Sequence, residues 1–145
     1  MIRPGIPNTL DNTTPVAPLD RAEVAMAIQR FKLNKVSGYD GLPAELFKAG
    51  GDELVRCMHH FLCNIWSLES MSSDWCLSLL YLILKKGDAT TSSNYRGISL
   101  LTIAYRILSS VLCERLKPFV NKLIGSYQCG FRPGKSTIDQ IFTLR

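Results

Sequence analysis

Residues 76–99 read CLSLLYLILKKGDATTSSNYRGIS, and this stretch decides the fold class. Cys76 to Leu84 is short and apolar and runs into Lys85-Lys86-Gly87-Asp88, so it reads as a strand entering a turn. A polar stretch, 89–94, separates it from Tyr95–Ser99, the expected partner strand. The pattern predicts a β-hairpin with a long loop. Everything around it has helical period, so the expectation is an α+β chain in which helices predominate.

Upstream, Asp20 as N-cap and Glu23 three residues later resemble a capping box. Val24, Ile28 and Phe31 then recur at i, i+4, i+7 as one apolar stripe. This helix is expected to end near Asn34, before the turn cluster Ser37-Gly38-Tyr39-Asp40-Gly41. Pro43 opens a short helix, Ala44 to Ala49, stopped by Gly50-Gly51. Asp52 is expected to cap a longer one carrying Leu54, Met58, Phe61, Leu62, Ile65 and Trp66, broken at Ser72 and Ser73.

Downstream, Leu101 to about Phe119 is the clearest helix. Ile103 (or Ala104), Ile107, Leu108, Val111, Leu112 and Leu116 share a face, and Pro118 sits at its end. A loop follows from Gly125 to Gly134, then a last helix capped by Ser136 or Thr137. That helix runs to the final residue, so an exposed apolar face and a tendency to aggregate are expected. Residues 1–18 carry four prolines and no apolar period, which predicts a flexible arm ahead of a folded part, 19–145.

The 145 residues are 46% hydrophobic and 20% charged, a globular balance that excludes wholesale disorder. A net charge of +5 suits a polyanionic partner without requiring one. Five irregularly spaced cysteines do not suggest a disulfide framework; reduced thiols are expected. The opening residues are unlike a signal peptide, and the run Leu77–Leu84 is too short to cross a bilayer. The expectation is an intracellular protein without membrane association, nucleus and cytoplasm not distinguished.

Lys85, Lys86 and Arg96 would lie near the ends of one hairpin, and a triphosphate needs such converging cations. The alternative is an ordinary solvated turn. Gly130-Phe131-Arg132-Pro133-Gly134 combines glycines that allow close backbone approach with the charges of Arg132 and Lys135; a tight loop with Phe131 as a core anchor is the alternative. Gly134-Lys135-Ser136 imitates a phosphate loop, yet Cys129 stands where that motif needs glycine, and Pro133 removes an amide. Cys57-Met58-His59-His60-Phe61-Leu62-Cys63 places His60 three residues from each cysteine, but on an apolar helix with no second ligand pair, so no metal is expected. Asp40 reads as a turn residue bonding nearby amides.

Three blocks in order carry a resemblance: Lys35 to Glu45; Lys85-Lys86-Gly87-Asp88 with Asn94 to Ser99; and Gln128 to Thr137 leading into Asp139-Gln140. Together they resemble the N-terminal, fingers-side part of the reverse transcriptases of non-LTR retrotransposons, LINE-like and jockey-like, over residues 20–145. The family usually has a proline in the strand before the Lys-Lys-Gly-Asp turn, where this chain has Leu82.

The resemblance implies the fingers and the start of the palm of a right-hand polymerase. It assigns the phosphates of an incoming dNTP to Lys85, Lys86 and Arg96, and the template side to Gln128, Gly130, Phe131, Arg132 and Lys135. It implies an RNA template, a DNA primer, dNTP and Mg²⁺ for the complete enzyme, and a missing palm and thumb segment as partner. Two-metal chemistry needs clustered carboxylates, and there is no Asp-Asp pair here. The resemblance places the first catalytic aspartate after the Asp139-Gln140 helix and beyond Arg145, so this chain is expected to be inactive alone. A non-catalytic remnant or helical interaction module is the competing expectation.

Overall fold

Asp20 starts the first helix as its residue type demands. Its side chain accepts from the Ala22 amide, while the Glu23 carboxylate accepts from the Asp20 amide at 2.9 Å, closing the capping box. In this computed structural model, which describes residues 17–125 and 127–143, α1 spans Arg21–Arg30. Most of the proline-rich arm lies outside the described residues. The helix stops earlier than Asn34: Phe31 turns extended, and Asn34 takes a left-handed φ of 57° with its amide bonded to Glu45.

Helix α2 is Ala44–Ala49, opened by Pro43 as expected. Helix α3, Gly51–Leu68, begins one residue ahead of Asp52, which is no cap; it lies in the first turn and pairs with Arg21. The helix ends at Glu69, left-handed at φ 49°, before the two serines. A short 3-10 turn, Ser73–Cys76, takes Cys76, which was expected in the strand, and β1 is Leu79–Leu84. Its partner β2 is Tyr95–Leu100, antiparallel, with Leu79 opposite Leu100 and Leu84 opposite Tyr95.

Helix α4, Ile103–Leu123, is capped by Thr102 and runs past Pro118 instead of stopping there. Proline removes its amide bond to the Glu114 carbonyl and crowds that turn, but the helix is exposed around it at Leu116 and Phe119, where water can serve the freed carbonyl. Helix α5, Thr137–Thr143, is capped by Ser136.

Apolar stripes of four helices meet in one core: Val24, Ala27 and Ile28 of α1, Ala44 and Phe47 of α2, Met58 and Leu62 of α3, and Ile103, Ile107, Leu108 and Val111 of α4. Each large side chain so buried contributes about 1.5–3 kcal/mol. Arg115 of α4 ties the bundle at its rim, forking onto Glu23 and donating to the carbonyls of Ala17 and Pro18 at 2.6 and 2.7 Å. Trp75, just ahead of β1, stands edge-on between Phe61 of α3 and Tyr105 of α4, with centroids 5.7 and 5.6 Å away. That contact anchors the foot of the ribbon. The ribbon itself rises clear of the helices, and all six residues of β1 are exposed.

Candidate nucleotide and template site

In an antiparallel pair, residues directly opposite share a face. The register sets Arg96 opposite Ile83, and the Lys85 amide continues the ladder by donating to the Asn94 carbonyl at 2.8 Å. Lys85 and Arg96 are thus diagonal neighbours on one face of the ribbon. Lys86 lies beyond the last register pair, exposed in the bend that opens the turn. The turn between them is built by Asp88, whose carboxylate accepts from the Thr90 amide and hydroxyl at 2.9 and 2.6 Å. Those bonds hold the Asp88 carboxyl below its ordinary pKa, the hydroxyl bond first. Asn94 donates to the Asp88 carbonyl, and Gly87 sits at φ 87°. The long loop is folded back on its own side chains, and the two ribbon-face cations are left to solvent.

The Gln128–Lys135 loop has a different character. Phe131 is fully exposed at a left-handed φ of 59°, which overturns its reading as a core anchor. The anchor is Cys129, buried, whose amide donates to the Gln140 side chain at 3.3 Å. Arg132 donates to the Gly125 carbonyl at 3.1 Å and so braces its own loop. Gln128, Gly130 and Lys135 are exposed, and the Lys135 amide closes a turn on the Arg132 carbonyl. Ser136 and Asp139 cap α5 reciprocally, with the Ser136 amide 2.7 Å from the carboxylate. Among the described residues Arg96 and Arg132 share no hydrogen-bond partner. The register sets Lys85 and Arg96 on one face of the ribbon.

Asp40 is a turn residue, accepting from the Leu42 amide at 3.2 Å. Cys63 meets His59, not His60: the His59 Nε2 donates to the Leu19 carbonyl at 2.8 Å and lies 3.4 Å from the thiol. Among the described residues no three His, Cys, Asp or Glu side chains cluster as metal ligands. Several carboxylates are engaged elsewhere: Glu23 with Arg115, Glu53 with Arg56, Glu114 with Arg30 and Lys117, Asp139 with Ser136. A pair of divalent ions does not fit this donor set.

One grouping escaped sequence reasoning. Arg30, Lys32, Lys35 and Arg106 line two adjoining clefts of ≈ 390 Å³ each between the end of α1, the segment after it, and α4. The basic run over 30–35 was a visible signal, but cations at a helix C-terminus ordinarily answer its dipole. Arg106 joins them only through folding.

An α+β chain with a cation-bearing antiparallel ribbon on a small helical body is compatible with part of a template-directed polymerase. Residues 83–145 match the family model described as reverse transcriptase (RNA-dependent DNA polymerase). Among relatives, the transposon TX1 uncharacterized 149 kDa protein of Xenopus laevis is 30% identical over 88% of this chain and 10% of its own length. The probable RNA-directed DNA polymerase from transposon BS of Drosophila melanogaster is 25% identical over 93% of this chain and 15% of its own. The retrovirus-related Pol polyprotein from type-1 retrotransposable element R1 of Bradysia coprophila is 28% identical over 83% and 12%. The chain is similar to the reverse transcriptases of non-LTR retrotransposons, and it spans only 10–15% of the length of these relatives.

Proposed function

We propose that this chain is the fingers segment, with the start of the palm, of an RNA-directed DNA polymerase, serving to position substrate and not to perform the chemistry. Arg96 and Lys85 would take the phosphates of an incoming dNTP, with Lys86 adding charge from the bend that opens the turn. Gln128, Gly130, Phe131, Arg132 and Lys135 would lie along the RNA template opposite a DNA primer. The observation that carries this reading is the register itself, which sets Lys85 and Arg96 diagonally on one exposed ribbon face. A guanidinium fork beside an ammonium suits a polyphosphate. Fully exposed Phe131 offers a stacking surface for a base. Divalent ions would be held by carboxylates of another segment, the remaining palm with its thumb.

No helix among the described residues is long and apolar enough to cross a membrane. An intracellular setting, nucleus or cytoplasm, goes with the proposal.

Titration of a labelled RNA–DNA hybrid tests it. The expected result is binding that weakens steeply with salt, the logarithmic slope falling by about 0.7–0.9 for each phosphate contact removed by Arg96→Ala or Arg132→Ala. Absence of binding even at low salt would reject the reading and favour a helical interaction module without nucleic-acid function.

A further inference from the structure

The end of α3 is an anionic spot on a chain of net charge +5. Its last turn carries no basic residue, so nothing within the helix answers the negative end of its dipole. Glu69, the C-cap, adds a carboxylate there; it is exposed and has no ion pair among the described residues. Its φ of 49° ends the helix in a left-handed turn.

Glu69 lines a cleft of ≈ 520 Å³ between the end of α3 and the first half of α4, and among the described residues lining it no other is charged. With buried Leu108 and half-buried Trp66, Tyr105 and Leu112 in the lining, the cleft is largely apolar. Both rings are held. The Arg115 guanidinium lies 5.8 Å from the Trp66 centroid, and Trp75 meets Tyr105 edge-on at 5.6 Å. The charge of Arg115 is already answered by Glu23, 2.6 Å away. A long apolar stem with a cationic head fits this set: rings and aliphatic walls take the stem, and the head meets Glu69 and the helix terminus. An anion would be repelled, and a neutral chain would gain nothing from Glu69.

We propose that this cleft is a protein-docking site that takes a lysine or arginine side chain from an apolar polypeptide segment, with Glu69 as its counter-charge. Charge complementarity selects the basic residue. The apolar flank follows from the rim, because Leu68, next to Glu69 in the chain, and Met71, in the lining, are 74% and 58% exposed. Apolar neighbours of the basic residue cover those side chains, which a free polyamine does not. The site uses no residue of the ribbon or of the Gln128–Lys135 loop, so it stands independently of the polymerase reading.

Nuclear magnetic resonance of the ¹⁵N-labelled whole chain, read at the Trp66 indole N–H, tests it with a pair of acetylated, amidated peptides. One is Ser-Leu-Arg-Leu-Ser; the other carries citrulline, the uncharged isostere, in place of arginine. The arginine peptide should shift the Trp66 resonance and bind about fivefold more tightly than the citrulline peptide, the upper range for an exposed charge pair. Glu69→Gln should remove that difference and leave the affinity for the citrulline peptide as it was. Ser109→Tyr, which fills the cleft from α4, should abolish binding of both peptides with the helical circular dichroism unchanged. Should Ser109→Tyr fail to fold, the Glu69→Gln comparison decides alone. Equal affinity of the parent for the two peptides, a preference that survives Glu69→Gln, or no shift at Trp66 would each overturn the proposal. Spermidine displacing the arginine peptide at an equal concentration would also overturn it, in favour of a free polyamine.

Discussion

A β-carbon on Gly38 would stand 2.6 Å from the backbone nitrogen of Thr102. The turn after α1 is therefore pressed onto the junction of β2 and α4, where Thr102 is buried and caps α4. Neither backbone can give way cheaply, since both are fixed by elements on either side.

Gly38→Ala should lower stability by about 1–3 kcal/mol, the usual cost of overpacking a tight site. Chemical denaturation monitored by helical circular dichroism reads this directly. A midpoint equal to the parent's would show that the turn does not bear on the junction.

Arg115 and Glu23 hold α4 to α1 by two bonds, 2.8 and 2.6 Å, and the fork keeps the Glu23 carboxyl below its ordinary pKa. A depressed carboxylate stabilises the fold above its unfolded pKa, near ~4.3, and that part is lost as pH falls through the folded value. Stability should decline on acidification below that point, and Glu23→Gln should make the decline shallower. Arg115→Ala should cost about 2–3 kcal/mol at neutral pH, since the two arm carbonyls and the contact with Trp66 go with it. Thermal melts across a pH series measure both.

Leu82 lies opposite Gly97, and the ladder bond between Lys85 and Asn94 puts the hydrogen-bonded pairs at odd positions of β1. Its amide therefore points away from β2, a site that accepts proline without loss of a ladder bond. The related reverse transcriptases usually carry proline here. An exposed edge strand reading Leu79-Leu80-Tyr81-Leu82-Ile83-Leu84 is prone to pair with a second copy. Leu82→Pro should keep the fold and reduce concentration-dependent association in sedimentation velocity. Unfolding of the variant would contradict the register.

With Mg²⁺, dNTPs and an annealed primer, the chain should extend nothing, because its carboxylates serve caps, turns and ion pairs. Extension by a homogeneous preparation in a gel assay would place catalysis within these residues.

Local chemistry made much of this chain legible. Asp20 and Glu23 announced the first cap, Pro43 and Gly50 bounded α2, and the polar stretch between Leu84 and Tyr95 marked the hairpin. Boundaries failed where local signals were misleading. Pro118 reads as a stop, yet on an exposed helix the missing amide bond was affordable. Phe131 reads as an anchor because aromatic rings are usually buried, but a left-handed backbone turns it outward while the small thiol of Cys129 takes the inside.

The sequence by itself determined the helices, the hairpin and the resemblance to reverse transcriptases, because capping, periodicity and short motifs act over a few residues. Only the tertiary structure decided that Arg106 stands beside Lys35, that Lys85 and Arg96 share a face, and that Arg132 spends its guanidinium on Gly125. Those relations depend on strand register and on helices packing across the core, and neither is written in the spacing of neighbours along the chain.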